Sequence, residues 1–246
     1  MRRLILGCFL ICFFWPMWLQ AEERMGMPIE LKTAYGTDFD AYQAGSVDSS
    51  QSVLIIHDRW GLDGLALGWA DKFAKEGFLA LAIDLYDGRV AKKDNAVHAE
   101  ELIRQMAPEW VDANLQAAMA YLKKQPGRKI SVLGIGYGGS AAMRLTVLDP
   151  DALSSTVNIF GRVPSDVEEL RGINGPVLAL FSEQDNWVGE KEIENFEVLM
   201  FRLRNALQVD RIDARQGFLD PEHNAYNKSE AESAWQRAFT FVAETQ

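Results

Sequence analysis

Cysteine is scarce in this sequence: the 246 residues include two, Cys8 and Cys12, and both lie in the apolar N-terminal segment. If that segment is removed, no thiol remains to form a disulfide, a thiolate metal site or a cysteine nucleophile. Histidine is also scarce, with three in the chain, so few side chains could act as a general base near neutral pH. Nothing in the sequence indicates a metal or another cofactor.

Positive charge is in deficit, with 25 Lys and Arg against 35 Asp and Glu, and the net charge is -10. Loss of Arg2 and Arg3 with the N-terminal segment would make it -12. An acidic surface repels nucleic acid and anionic membrane faces. We therefore expect no nucleic-acid partner, and contact with a membrane only through the N-terminal segment.

Long apolar runs are missing as well. The longest is Leu4 to Leu19, which follows two arginines and ends before a polar stretch that begins at Gln20. A basic start, an apolar centre and a small residue at Ala21 are typical of a secretory signal. The run is shorter than the roughly 20 apolar residues that span a bilayer. We expect cleavage after Ala21 and export to the periplasm or the medium, with an uncleaved anchor as the alternative.

The mature chain, residues 22–246, is long enough for one well-buried α/β domain. A β-hairpin is predicted from residues 29–35 and 39–44. Continuous apolar runs predict buried strands at 52–57, 78–83, 130–133, 156–160, 177–181 and 209–212. Helical stretches separate them at 64–75, 94–106, 108–124, 140–148, 190–206 and 230–244. This alternation predicts a mostly parallel sheet flanked by helices, with the chemistry at the carboxyl ends of the strands.

One of those strand ends has the frame of a nucleophile elbow. Gly134 to Gly139 reads Gly-Ile-Gly-Tyr-Gly-Gly, and Gly136 stands where G-x-S-x-G places its nucleophile. A glycine has no side chain with which to attack. The fold and the activity therefore have to be considered separately.

Five segments together resemble the dienelactone hydrolase family of α/β-hydrolases, in the right order and over nearly the whole mature chain. They are residues 55–62, 83–89, 134–139, 181–185 and 214–218, the last followed by Pro221, Tyr226 and Trp235. The resemblance implies the α/β-hydrolase fold, in which helices cover both faces of the sheet. It also implies a triad in which a nucleophile attacks an ester or lactone carbonyl and a histidine, oriented by an aspartate, takes the proton.

Carried onto this chain, the triad positions read Gly136 for the nucleophile, Asp185 for the acid and Gln216 for the histidine. Only the aspartate is retained. A glutamine amide can donate and accept hydrogen bonds, but it cannot act as a general base. His57 is better explained as a structural histidine, and His223 is a weak candidate for a relocated base.

The resemblance assigns the oxyanion hole to the backbone amides of Arg59 and Tyr137, which a glycine at 136 leaves available. Asp58 replaces a glutamate that in the family interacts with the resting nucleophile, so that role lapses here. The remaining pocket candidates are Trp60, Arg89, Trp187 and Phe218.

Two functions compete. The first is a catalytically impaired or inactive homologue that binds a small ligand, anionic or aromatic, or an unspecified protein partner. The alternative is an active, carboxymethylenebutenolidase-like ester or lactone hydrolase with a relocated base or a non-standard nucleophile. A purely structural role as an assembly subunit is a third possibility, and the sequence identifies no ligand.

Overall fold

The computed structural model describes residues 24–184 and 187–246. The strands are β1 (Gly26–Lys32), β2 (Asp38–Ala44), β3 (Gln51–Ile56), β4 (Leu79–Ile83), β5 (Lys129–Ile135), β6 (Ser155–Ile159), β7 (Val177–Ser182) and β8 (Leu207–Ile212). They form one sheet in the order β1-β2-β4-β3-β5-β6-β7-β8. The pairs β1–β2 and β2–β4 are antiparallel, and every pair from β4 to β8 is parallel.

Seven helices connect these strands within the described part of the chain. They are α1 (Gly64–Lys75), α2 (Ala96–Gln105), α3 (Pro108–Leu122), α4 (Tyr137–Leu148), α5 (Val167–Arg171), α6 (Glu190–Leu203) and α7 (Lys228–Thr245). Among the residues described, no helix combines the length and the apolar character that crossing a membrane requires.

The two faces of the sheet bury alternate residues of the same strands. In β3, Val53 and Ile55 pack towards α1 and α7, while Leu54 and Ile56 pack towards α3 and α4. A third cluster of buried residues lies between β7, α5 and α6. Because both faces are covered, the strands are continuously apolar, as in other parallel sheets. The ends of the strands are therefore where polar side chains can gather.

The structure confirms the predicted fold class and corrects several boundaries. Strand β1 ends at Lys32 rather than residue 35, because Thr33 begins a tight turn closed by the bonds Thr33 N–H to Thr37 O and Gly36 N–H to Thr33 O. Helix α4 begins at Tyr137, three residues earlier than predicted. The short helix α5 was missed, since its five residues are too few for a periodic pattern. The predicted signal segment, residues 1–21, lies outside the described residues.

Candidate functional site

The elbow is the turn between β5 and α4. Its single residue, Gly136, has φ +55° and ψ -116°, and its N–H donates to the carbonyl oxygen of Ile159 on the neighbouring strand at 2.7 Å. Residues that carry a Cβ atom rarely adopt this backbone conformation. It is the strained conformation of the residue at a nucleophile elbow. The turn is therefore as sharp as the strand-to-helix turn that a nucleophile elbow requires, although no nucleophile side chain is present.

The space of the missing side chain is occupied by Asp58. A Cβ atom built on Gly136 would lie 2.6 Å from the Asp58 carboxyl carbon and 3.2 Å from Oδ2, with Oδ1 closer still. Real side-chain atoms do not approach so closely. Gly136 and Asp58 therefore fit each other, since the glycine makes room for the carboxylate.

The same carboxylate accepts the two amides assigned to the oxyanion hole. Asp58 Oδ1 accepts from Arg59 N–H at 2.6 Å and from Tyr137 N–H at 3.3 Å. The two amides do converge on one point, as the sequence predicts. The expectation that they remain available is wrong, because a carboxylate from the chain itself already takes both. We call these two amides the cradle.

Burial raises the pKa of Asp58, and the hydrogen bonds from the Arg59 and Tyr137 amides together with the Arg59 charge only partly oppose it. Among the described residues, none donates a hydrogen bond to Oδ2. Asp58 thus has one oxygen fixed by the backbone and one without a protein donor.

His57 holds the Asp58–Arg59 peptide, which contributes one amide of the cradle. Its Nδ1–H donates to the carbonyl oxygen of Asp58 at 2.7 Å, while Nε2 accepts from the N–H of Leu85 at 3.1 Å. A carbonyl can only accept, so the contacts assign the neutral tautomer with its proton on Nδ1. His57 is completely buried. It therefore orients the Asp58–Arg59 peptide, in agreement with the structural role expected of it.

Asp84 completes this buried layer. Burial alone would raise the pKa of Asp84, but its carboxylate accepts from the Tyr86 N–H at 2.7 Å and from the Gly88 N–H at 2.5 Å, and these two bonds oppose the rise. The Tyr86 ring packs edge-on against His57, with centroids 4.6 Å apart. Burial raises the pKa of Tyr86, and its hydroxyl has no hydrogen-bond partner among the described residues.

Gln216, at the histidine position, pairs with an arginine. Its Oε1 accepts from Arg59 Nη2 at 2.8 Å. Its Nε2 is buried and has no acceptor within the described part of the chain. Asp185, the predicted acid, lies outside the described residues, so its role stays a prediction.

Two guanidinium groups lie over one indole ring at the mouth of the site. Arg59 is 5.4 Å and Arg162 is 4.9 Å from the centre of the Trp187 ring, within the range of cation–π attraction. Neither arginine forms an ion pair with a carboxylate in residues 24–184 or 187–246. We call Arg59, Arg162, Trp187 and Gln216 the rim.

A buried ion triad ties the surrounding loops together. Lys93 pairs with Asp63, the N-cap residue of α1, and with Asp220, which follows β8. Burial alone would lower the pKa of Lys93, but the two carboxylates outweigh it and raise the pKa. Lys93 also lies 5.4 Å from the centre of the Trp60 ring. The loops that carry Asp58 and Gln216 are thus held by one cation, and we call Lys93, Asp63 and Asp220 the clamp.

Some predicted pocket residues lie elsewhere. Arg89 is exposed, and its guanidinium donates to the carbonyl oxygen of Tyr86 at 2.7 Å and to Gln105. Phe218 is a core residue rather than a pocket wall, because it is fully buried with its ring edge-on to Phe160. Trp60 is 7% exposed and lies between Arg59, Lys93 and His223. His223 accepts at Nδ1 from the Ala225 amide at 3.1 Å.

Sequence reasoning missed Arg162 and Lys93. Arg162 follows β6, which ends at the same edge of the sheet as the elbow, so the rule that sites form at the carboxyl ends of strands could have found it. Lys93 lies in a polar stretch after β4 that has no distinguishing pattern. Its burial depends on Asp63 and Asp220, which are remote in sequence.

Comparison with known proteins agrees with this architecture. Residues 39–246 match the model of the dienelactone hydrolase family. Protein usf of Aquifex pyrophilus is 26% identical over 234 residues, which cover 89% of this chain and 99% of that protein. A protein of Saccharolobus solfataricus, provisionally named carboxymethylenebutenolidase, is 24% identical and is covered to 94% by the match, against 84% of this chain.

Solved structures show the same fold. A dienelactone hydrolase-like promiscuous phosphotriesterase from metagenomic libraries superposes with a TM-score of 0.77 at 19% identity, covering 90% of this chain and 99% of that one. At that identity the likeness concerns the fold and not the reaction.

Proposed function

The chain belongs to the dienelactone hydrolase family, and on that premise we propose that it binds a small ligand at the family's active-site position without catalysing ester hydrolysis by the triad mechanism. The observation that carries the proposal is the filled cradle. Asp58 stands where a nucleophile's side chain would lie and takes both oxyanion amides.

The filled cradle removes two contributions to catalysis at once. Acyl transfer needs a nucleophile, and it needs amide donors that are free to stabilise the charge that develops on the carbonyl oxygen. A substrate carbonyl at this position would meet the carboxylate of Asp58 instead of two free N–H groups. Removing one oxyanion donor alone typically costs a factor of about 10²–10³ in kcat.

The base is missing as well. Gln216 cannot accept the proton that a nucleophile must lose, and its amide is engaged by the Arg59 guanidinium. His57 is completely buried, and both of its ring nitrogens have backbone partners. His223 accepts a backbone hydrogen bond at Nδ1. None of these contacts prepares a histidine for proton transfer at Gly136.

One observation favours a second candidate, slow hydrolysis in which Asp58 activates a water molecule. Its Oδ2 has no donor among the described residues, and burial raises the pKa of Asp58 above its ordinary value, which makes the carboxylate a stronger base. Against this candidate, Oδ1 would still occupy the oxyanion amides during the reaction.

An esterase assay separates the two. We expect wild-type protein to hydrolyse p-nitrophenyl acetate no faster than buffer containing the heat-denatured protein. Asp58→Asn serves as the matched variant, since it keeps the shape and removes the base. Saturable turnover by the wild type that Asp58→Asn abolishes would establish the second candidate and overturn the first.

We also propose that the protein is exported and that residues 1–21 are its signal. The support is the basic, apolar and small-residue order of that segment. Expression of the full chain with a C-terminal tag, followed by N-terminal sequencing of the product from the periplasm or medium, tests this. A product that begins at Glu22 supports export with cleavage, whereas an intact N-terminus in the cytoplasm would overturn it.

A further inference from the structure

We propose that the rim binds the oxyanion group of a small ligand, either a carboxylate or a phosphate, between the guanidinium groups of Arg59 and Arg162. This inference rests on the proposed ligand-binding function and names the chemistry of the ligand. It places the anion at the mouth of the site and not in the oxyanion cradle.

The polar groups of the rim are hydrogen-bond donors. Arg59 and Arg162 contribute guanidinium N–H groups and no acceptor. Gln216 accepts a hydrogen bond from Arg59 at its carbonyl oxygen. Its Nε2 is buried and has no acceptor among the residues described. A buried donor without a partner costs about 1–3 kcal/mol. A ligand that supplies acceptor oxygens would satisfy this group and meet the two arginines.

Contacts within the protein hold the two arginines of the rim in place before a ligand binds. Arg59 is fixed by the Gln216 oxygen on one side and by the Trp187 ring on the other. The Arg162 N–H donates to Ser140 Oγ at 2.9 Å, which anchors its backbone to α4. Because the groups are already oriented, binding an anion loses less conformational entropy.

The loop that carries Arg162 is itself fixed by a buried side chain. Asn158, fully buried at the end of β6, accepts from the Gly161 N–H at 2.8 Å and donates to the Gly161 carbonyl oxygen at 3.0 Å. This closed pair of bonds sets the direction in which the chain leaves the strand. Arg162 is therefore positioned by the fold and is not merely an arginine on a free loop.

The positive charges of Arg59 and Arg162 also favour an anion at the rim. The chain has a net charge of -10, yet Arg59 and Arg162 lie 5.4 Å and 4.9 Å from the centre of one indole ring and form no ion pair with a described carboxylate. Two cations that share a ring repel each other, and an anion between them relieves that repulsion. Guanidinium groups suit carboxylate and phosphate because they can donate two parallel N–H bonds.

Titration with two probes tests the proposal. Sodium benzoate and inorganic phosphate are titrated separately into the folded protein, with calorimetry and tryptophan fluorescence as readouts. We expect at least one of them to bind to the wild type, and Arg162→Gln to raise its Kd by about tenfold, the effect of losing one charge-assisted contact. Arg202→Gln, which removes one exposed arginine from α6, should change Kd by less than about twofold.

Gln216→Glu provides a second, nearly isosteric variant. It replaces the free donor with a carboxylate that pairs with Arg59, so we expect anion binding to be lost while the protein stays folded. Binding of benzoate alone identifies an organic carboxylate as the ligand class, and binding of phosphate alone identifies a phosphate. The proposal is overturned if neither probe binds to the wild type at millimolar concentration, or if Arg162→Gln binds as tightly as Arg202→Gln.

These outcomes are independent of the hydrolysis assay. Esterase activity of the wild type would refute the proposed function, whether or not the rim binds anions. Absence of anion binding in a protein that also fails to hydrolyse esters would refute only the assignment of the rim.

Discussion

The cradle and the rim are neighbours that share Arg59, but they are in opposite states. In the cradle, two backbone donors and one carboxylate oxygen satisfy each other, and no space remains at Gly136 for a side chain. In the rim, neither guanidinium group forms an ion pair within the described residues, and the buried Gln216 Nε2 has no acceptor there. The backbone N–H of Arg59 serves the closed region, and its side chain serves the open one.

This difference shows how a hydrolase fold can separate its two tasks. In the proposed function, Gly136 removes the nucleophile and Asp58 takes the two amides that would stabilise an oxyanion. The guanidinium groups of Arg59 and Arg162, which form no ion pair with a described carboxylate, provide the place where we propose that a ligand is recognised. Substitutions of Gly136, Lys93 and Asp58 test in turn the space in the cradle, the clamp that holds both regions, and the charge that fills the cradle.

The largest effect is expected from Gly136→Ala. Its methyl group would collide with Asp58 and would also stand at a positive φ, each of which costs about 1–3 kcal/mol. We expect the free energy of unfolding to fall by about 3 kcal/mol or more in urea titrations. Gly127→Ala is the matched control, because Gly127 has φ +75° with no atom within 4 Å of its added Cβ.

A double-mutant cycle then isolates the collision from the backbone strain. In an Asp58→Ala background the collision is absent and only the backbone strain at Gly136 remains, so Gly136→Ala should cost about 1–3 kcal/mol less there than in the wild type. If Gly136→Ala costs no more than the control in the wild-type background, the carboxylate does not fill the nucleophile's place.

The clamp is tested by Lys93→Met. Its removal leaves Asp63 and Asp220 as buried carboxylates without their cation, and breaking a buried pair in this way costs about 3–5 kcal/mol. Since the triad joins the loops of the cradle and the rim, we expect both stability and anion binding to fall. Lys92→Met, on an exposed neighbouring lysine, should change the free energy of unfolding by less than about 0.5 kcal/mol. Equal free energies of unfolding for Lys93→Met and Lys92→Met would show that the triad does not stabilise the fold.

The charge in the cradle gives a smaller, pH-dependent effect. The folded protein holds the proton of Asp58 more tightly than the unfolded chain does, because burial raises its pKa. The contribution of Asp58 to stability is therefore largest at low pH and decreases as the pH rises through the folded-state pKa, by about 1.4 kcal/mol per unit of pKa shift. Asp58→Asn lacks this loss.

Urea unfolding from about pH 4 to pH 8 measures the difference directly. We expect Asp58→Asn to be more stable than the wild type at the upper end and the advantage to shrink towards the lower end. An advantage that grows as the pH falls would mean that the carboxylate is stabilised by its two amides, contrary to the raised pKa.

Much of the fold could be predicted from the sequence, because continuous apolar strands such as β3 and β7 and long helices such as α3 carry strong local patterns. The elbow and the cradle amides could be predicted too, since a resemblance in order along the chain fixes which residues face the strand ends. The occupation of the cradle by Asp58 could not, because it depends on the direction of one side chain across two loops. Arg162 and Lys93 depend on contacts between segments far apart in sequence.

The proposed function implies that Asp58, and not only the loss of the triad residues, prevents catalysis at this site. The most direct measurement compares p-nitrophenyl acetate hydrolysis by Gly136→Cys/Gln216→His with hydrolysis by the same protein carrying Asp58→Ala as well. We expect the triple variant to be faster than the double variant by at least about tenfold, since it regains two oxyanion donors. Equal rates in two well-folded variants would contradict the account.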